Sequence, residues 1–384
     1  MDYFNKYSTI LLTFSLGVLF SFGLELVFLD GAGNLTTILT VISICIVLFL
    51  IFKEIKFISL NKTDIALLFY VVIILIGSIF SDSVEGAITY FAYSVVFYFI
   101  GRFVFLRSNK SSIILITLFS LPIIYELLVR YNTLLGTNVL RVSLADGTSP
   151  IGIGEMLSFF IISSYYVVRF VEEHKITKLF FIAGILIGLF EQIAVLSSRG
   201  ATISVIITIV VTEFIFGNKK FVGLIVVVSA GAYYLFNIFI DSIAVILPIA
   251  NRFSFQSIMS DPSVIGSSLY VGRAQLVTYA LEKIGLHPFF GNGFGSVYPH
   301  NILIEIFASA GILGLLLFLV FLLSIFWNLN KKNTNYLYFM LFLVALINRM
   351  TSFEYSMQKP LFLFAGIMVS QIYLRNKMKF EFRT

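Results

Sequence analysis

The sequence predicts an all-α polytopic membrane protein, a bundle of about twelve transmembrane helices with one long loop that carries an amphipathic surface helix. Three observations predict this fold. Apolar residues make up 59% of the 384 residues and charged residues only 12%, at a mean hydropathy of +1.00. A soluble domain carries roughly 25% charged residues and has no core large enough to hide so much apolar surface, whereas a lipid-facing surface needs no hiding. Apolar stretches of helical length recur along the chain, and lysines and arginines gather in alternate connections between them.

The stretches fall at 8–29, 35–52, 63–80, 86–106, 112–130, 151–170, 178–197, 200–216, 221–240, 302–327, 335–350 and 358–374. The eleventh is the shortest. The first is too long for the apolar region of a signal peptide and no small-residue cleavage site follows, so it reads as a span. The 43 Phe and 19 Tyr suit lipid contact and interfacial belts. The lone cysteine, Cys45, lies inside an apolar stretch, and no Cys/His metal-ligand spacing is present. No soluble domain or short repeat interrupts the pattern, so residues 1–384 read as a single integral membrane domain, with 241–301 inserted as a large loop between spans nine and ten.

Eighteen of the 26 lysines and arginines fall in one set of loops, including Lys53, Lys56, Lys62, Arg102, Arg107, Lys110, Arg169, Lys175, Lys178, Lys219 and Lys220. This set alternates correctly with twelve spans, which predicts cytoplasmic termini. The cations of the opposite side are mostly arginines: Arg130, Arg141, Arg199, Arg252, Arg273 and Arg349, with Lys283 and Lys359. Arginine grips phosphate oxygens with two parallel hydrogen bonds, which lysine does not.

Within the long loop, Ser268–Gly285 places Leu269, Ala274, Leu276, Val277, Ala280, Leu281 and Ile284 near one helical face, the pattern of an amphipathic helix at the outer surface. His287-Pro288 ends it. Gly291-Asn292-Gly293-Phe294-Gly295 follows, whose alternate glycines allow close backbone approach or unusual dihedral angles. It is not a dinucleotide fingerprint, since no βαβ unit surrounds it. Tyr298-Pro299-His300-Asn301 then opens the tenth span.

His300, at the mouth of a helix, reads either as a cap or interfacial anchor, or as a general base that takes a proton from a hydroxyl nucleophile. Asn301 beside it is placed to orient the ring or to cap the helix. Arg199 lies in the tight turn Ser197-Ser198-Arg199-Gly200-Ala201. It reads either as snorkelling to headgroups or as an anion ligand opened to its target by small neighbours. Arg273 on the surface helix and Arg252 in the loop have an ordinary solvated reading and an anion-binding one. Carboxylates at Glu25, Glu126, Glu155, Glu191 and Glu305 sit in apolar stretches, where they are costly and tend to be paired or functional. Glu305, one turn beyond His300, is placed to orient it or to contact substrate. Asn348, Arg349 and Glu354 cluster near the last outer loop. His174 reads as solvated and His287 as structural. Arginines around one histidine suit displacement of a diphosphate by a base-activated sugar hydroxyl; an anion or lipid transporter is the alternative.

These residues resemble the bacterial O-antigen polymerase and O-antigen ligase superfamily. The resemblance runs through SSRGA at 197–201, GRAQLVTYALEKIGLHPFFGNGFG at 272–295 and PHNILIEIFASAGILGLLLFLVF at 299–321. It implies a GT-C type membrane glycosyltransferase of the bacterial inner membrane, with its active site facing the periplasm. Its donor would be an undecaprenyl-diphosphate-linked oligosaccharide, displaced with inversion and without metal or other cofactor. By motif, His300 takes the catalytic role, Arg199 and Arg273 contact the diphosphate, and Arg252 matches a less constant arginine. Asn301 and Glu305 are supporting residues. A chain-length regulator and a flippase are further candidate partners; nucleic acid is not. The short stretch between Arg273 and His300 lacks the insertion that many members carry. The compact loop leans toward polymerase over ligase, and a polymerase of a capsule or other exopolysaccharide would share these features.

Overall fold

The computed structural model describes residues 9–21, 60–79, 95–103, 109–134, 150–171, 174–196, 198–217, 219–238, 273–297, 299–327, 334–351 and 358–381, with the single residues 38, 41, 42, 45, 49 and 329. Every regular element among them is helical. They are α1 (Thr9–Ser21), α2 (Lys62–Ile79), α3 (Phe97–Phe103), α4 (Lys110–Leu134), α5 (Pro150–Phe170), α6 (Lys175–Phe190), α7 (Arg199–Phe216), α8 (Lys219–Ile238), α9 (Arg273–Leu286), α10 (Ile302–Trp327), α11 (Tyr336–Thr351) and α12 (Lys359–Glu381). A π-helical turn, Glu191–Val195, continues α6.

Among the described residues, six segments are long and apolar enough to cross a membrane: Lys62–Ile79, Lys110–Tyr131, Ile151–Phe170, Lys175–Val195, Arg199–Phe216 and Ile302–Trp327. Shorter apolar helices are Thr9–Ser21, Tyr336–Thr351 and Lys359–Ile372. The all-helical membrane architecture is as expected, but the described residues supply six spans of full length, not twelve. The stretch 35–52 lies outside them except for single residues, and 86–106 is described only over 95–103.

The centre of the bundle is α11. Its residues from Leu337 to Arg349 are all buried, and it packs against α5, α7 and α12. A helix apolar all round is at home only when surrounded. Next to it α3 and α12 cross at glycines. A Cβ on Gly101 would meet the Leu363 carbonyl, and one on Gly366 the Tyr98 carbonyl. Such small-residue crossings bring two backbones together where no water is present to drive association.

At the helix ends adjoining the Lys-rich segments, two clamps have the same design. Asp64 opens α2 and shares reciprocal caps with Asn61, each side-chain oxygen accepting the other's backbone N–H at 2.9 Å. Its carboxylate also accepts the Arg102 guanidinium at 2.9 and 3.0 Å and the Tyr98 hydroxyl at 2.6 Å. Glu213 on α7 accepts Arg169 Nε at 2.9 Å and the Tyr165 hydroxyl at 2.7 Å. In each clamp Tyr and Arg stand one turn apart on one helix and grip a carboxylate on another. A third junction joins Asn109 to Tyr166 at 2.8 Å and reciprocally to Asn335 at 3.0 and 2.7 Å.

Candidate functional site

The segment that leads to His300 is built into a break in α10. Gly311 takes φ 67°, ψ −171°, a conformation that interrupts the helical ladder and that a Cβ would oppose. The ladder's lost bonds are replaced from outside. Ala308 and Ser309 carbonyls accept the backbone N–H groups of Asn292 and Gly293 at 2.8 and 3.0 Å, and Ile312 N–H donates to Pro288 O at 2.8 Å. The Asn292 amide donates to Ala308 O at 3.1 Å and to Lys283 O at 2.7 Å, tying the end of α9 to the same place. Non-helical backbone inside an apolar bundle is tolerated only when its polar groups are met in this way. All three glycines of the 291–295 motif have positive φ (76°, 85° and 75°).

Helix α9 packs on the first half of α10 through Ala280 and Ile284, which join Val297 and Ala308 in a small core. The packed face is narrower than its apolar periodicity suggests, because Leu281 is 55% exposed. Arg273 is the first residue of α9. Arg252 lies outside the described residues.

After the glycine motif the chain returns to His300, which is half-buried and has φ 56°. It is the only non-glycine residue with positive φ among the described residues. That conformation costs an L-residue roughly 1–2 kcal/mol, and residues held this way concentrate at functional sites. Asn301 supplies the helix cap: its Oδ1 accepts Leu303 N–H and Ile304 N–H at 3.0 and 3.2 Å. Its amide donates to Met350 O at 3.1 Å, fixing the start of α10 to the end of α11. Of its two expected roles Asn301 therefore fills capping. Glu305 is buried in the first turn of α10, and its N–H donates to Asn301 O at 2.9 Å.

One residue before Met350, the buried Arg349 pairs with buried Glu155 on α5. Next to Glu155, Gly154 lies against the N-terminus of α7, where a Cβ would stand 2.8 Å from Ser198 Oγ. The Gln192 amide, on the π-helical turn, donates to Gly154 O and Ser158 Oγ at 2.9 Å each. Gln192 O in turn accepts Ser198 N–H at 2.9 Å. Ser198 precedes Arg199, which is half-buried as the first residue of α7. A continuous series of contacts thus runs from His300–Asn301 through Met350, Arg349, Glu155 and Gly154 to Ser198–Arg199.

No family model and no curated protein matches this chain.

The other carboxylates divide. Glu126 pairs with Arg130 one turn along at 2.6 Å, and Glu155 with Arg349, so both have structural partners. Glu191 is fully buried, and neither carboxylate oxygen has a hydrogen-bond partner. His174 and His287 are exposed; Glu25 and Glu354 lie outside the described residues. Gln192, Gln358 and Gly311 were not legible as site residues. A single glutamine within an apolar run reads as part of the span, and one glycine in a long apolar run reads as helix.

Proposed function

We propose that this protein is a bacterial inner-membrane glycosyltransferase of the O-antigen polymerase kind, joining undecaprenyl-diphosphate-linked repeat units at the periplasmic face. In this reading it has twelve spans and both termini in the cytoplasm. The observation that carries it is the linked placement of His300 and Arg199. The histidine is held in a left-handed conformation directly before a cap made by Asn301, and the contacts through Arg349 and Glu155 reach the turn that bears Arg199.

The chemistry follows from those residue types. His300 takes the proton of an acceptor sugar hydroxyl as its oxygen forms a bond to the anomeric carbon of the donor. The bond from that carbon to the diphosphate breaks from the opposite face, so configuration inverts. Undecaprenyl diphosphate leaves with the electron pair, and Arg199 and Arg273 meet its charge. Glu305 and Asn301 support His300, and Arg252 is a further diphosphate ligand. A chain-length regulator and a flippase would work beside it.

Deleting the protein and resolving surface polysaccharide by gel tests this. Loss of polymer with a single repeat unit still on the core is the expected result. Core without any repeat unit would move the assignment to ligase, and an unchanged ladder would remove both. Arg199→Ala should raise the donor requirement by about tenfold or more, with Arg199→Lys rescuing poorly.

Among the described residues, the broken α10 favours a transporter, because broken helices bind cargo with the backbone groups they free. Here the 288–293 segment already occupies those groups.

A further inference from the structure

Among the described residues, three buried side chains keep both polar atoms without a hydrogen-bond partner: Glu191, Asn348 and Gln358. The two carboxamides belong to consecutive helices. Asn348 lies in the last turn of α11 at 1% exposure, and Gln358 immediately precedes α12 at 0%. A wholly unpaired buried carboxamide is rare because two donors and an acceptor lose water without compensation. Two of them on adjoining helix ends need a common explanation.

Their depth can be read from ring packing. Phe159 of α5 stands against Phe364 of α12 with centroids 5.3 Å apart. Glu155 lies one turn before Phe159, about 6 Å along α5, and Gln358 about 9 Å before Phe364, at 1.5 Å per residue. Glu155 holds Arg349, the neighbour of Asn348. Both carboxamides therefore lie close to the layer of the Glu155–Arg349 pair.

Within that layer the guanidinium of Arg349 is matched by the carboxylate of Glu155. A phosphate seeks unmatched cations. Carboxamides instead donate and accept side by side, which complements the paired donor and acceptor of adjacent sugar hydroxyls. We propose that Asn348 and Gln358 form a subsite for a neutral sugar ring, separate from the arginines that take the diphosphate. This rests on the glycosyltransferase reading and adds specificity residues to it. The Arg349–Glu155 pair acts as a positioning element that holds Asn348 in place.

The test uses the full chain purified in detergent and two probes: the oligosaccharide released by mild acid from the cell's own lipid carrier, and undecaprenyl diphosphate. Asn348→Leu and Gln358→Leu should each weaken oligosaccharide binding by about tenfold while leaving undecaprenyl diphosphate binding within about twofold. Unchanged oligosaccharide affinity in both variants, with raised thermal stability, would overturn the subsite and mark the amides as solvated structural groups. Loss of both probes together would overturn it as well. If the variants do not fold, the wild type decides: the oligosaccharide should raise its unfolding temperature saturably, and no shift counts against the subsite. Arg199→Ala separates the two proposals. Retained undecaprenyl diphosphate affinity there would sink the diphosphate assignment while leaving the carboxamide result standing.

Discussion

The two ends of the bundle differ in how they treat buried carboxylates and carboxamides. Where the helices adjoin the Lys-rich segments, Asp64 and Glu213 each hold an arginine and a tyrosine. At the end that carries His300, Arg349 is matched by Glu155, while Glu191, Asn348 and Gln358 have no partner for any side-chain polar atom. The carboxylates are buried at both ends, so the difference lies in pairing. A satisfied clamp fixes helix ends and offers a ligand nothing. Polar groups left open at a cost to stability are where a ligand has something to gain.

Mutations can break or sharpen this contrast. The largest effect should come from His300→Ala. Removing a general base costs about 10²–10⁴-fold in rate, and polymer formation should fall by that much with the unfolding temperature unchanged. Full activity would end the catalytic assignment. Asp64→Ala should act the other way. It strands Arg102 and costs on the order of 3–5 kcal/mol of stability, seen as a lower unfolding temperature, while the folded fraction keeps its specific activity. A selective loss of turnover there would blur the two ends. Arg349→Met strands Glu155 and should cost a similar amount, and adding Glu155→Leu should restore most of it, because an apolar replacement of both partners is often neutral. Non-recovery would mean that the pair does more than hold α5 to α11. Asn301→Ala is the smallest change. Loss of the cap costs about 1 kcal/mol, and a KM increase beyond that would show that the bond to Met350 also shapes the site.

Much of this architecture is legible in the sequence because a helix needs only local pattern. The apolar runs find α4, α5 and α7 nearly to their ends, and the periodicity after residue 268 finds α9. Asn301 as a cap is also local, since it requires only the residues that follow it. The break at Gly311 is not. It exists because Pro288, Asn292 and Gly293 supply hydrogen bonds from another segment, and no periodicity within 302–327 reports that. The pairing of Glu155 with Arg349 joins residues 194 positions apart, so pairing with an outer arginine is readable in the sequence and the particular arginine is not. Asn348 is legible as part of the cluster near the last outer loop, but its lack of a partner, and Gln358 altogether, are hidden for a related reason. A carboxamide at a helix end ordinarily binds water or backbone, and only the packed structure reveals that these two bind neither.

Three glycines distant in the chain meet at a single point beside the break. A Cβ on Gly77 would press on the Phe290 carbonyl at 2.6 Å, one on Gly291 on Ser309, and one on Gly311 on Phe289. Gly77 and Gly311 keep room for the 289–290 backbone and Gly291 for that of Ser309, so none is tolerant alone. Descent with modification should therefore treat positions 77, 291 and 311 as one inherited character. Lineages that keep the junction keep all three glycines, and a lineage that loses one is released from conserving the others. Such a triplet, followed through an alignment, traces ancestry by geometry where overall similarity has faded.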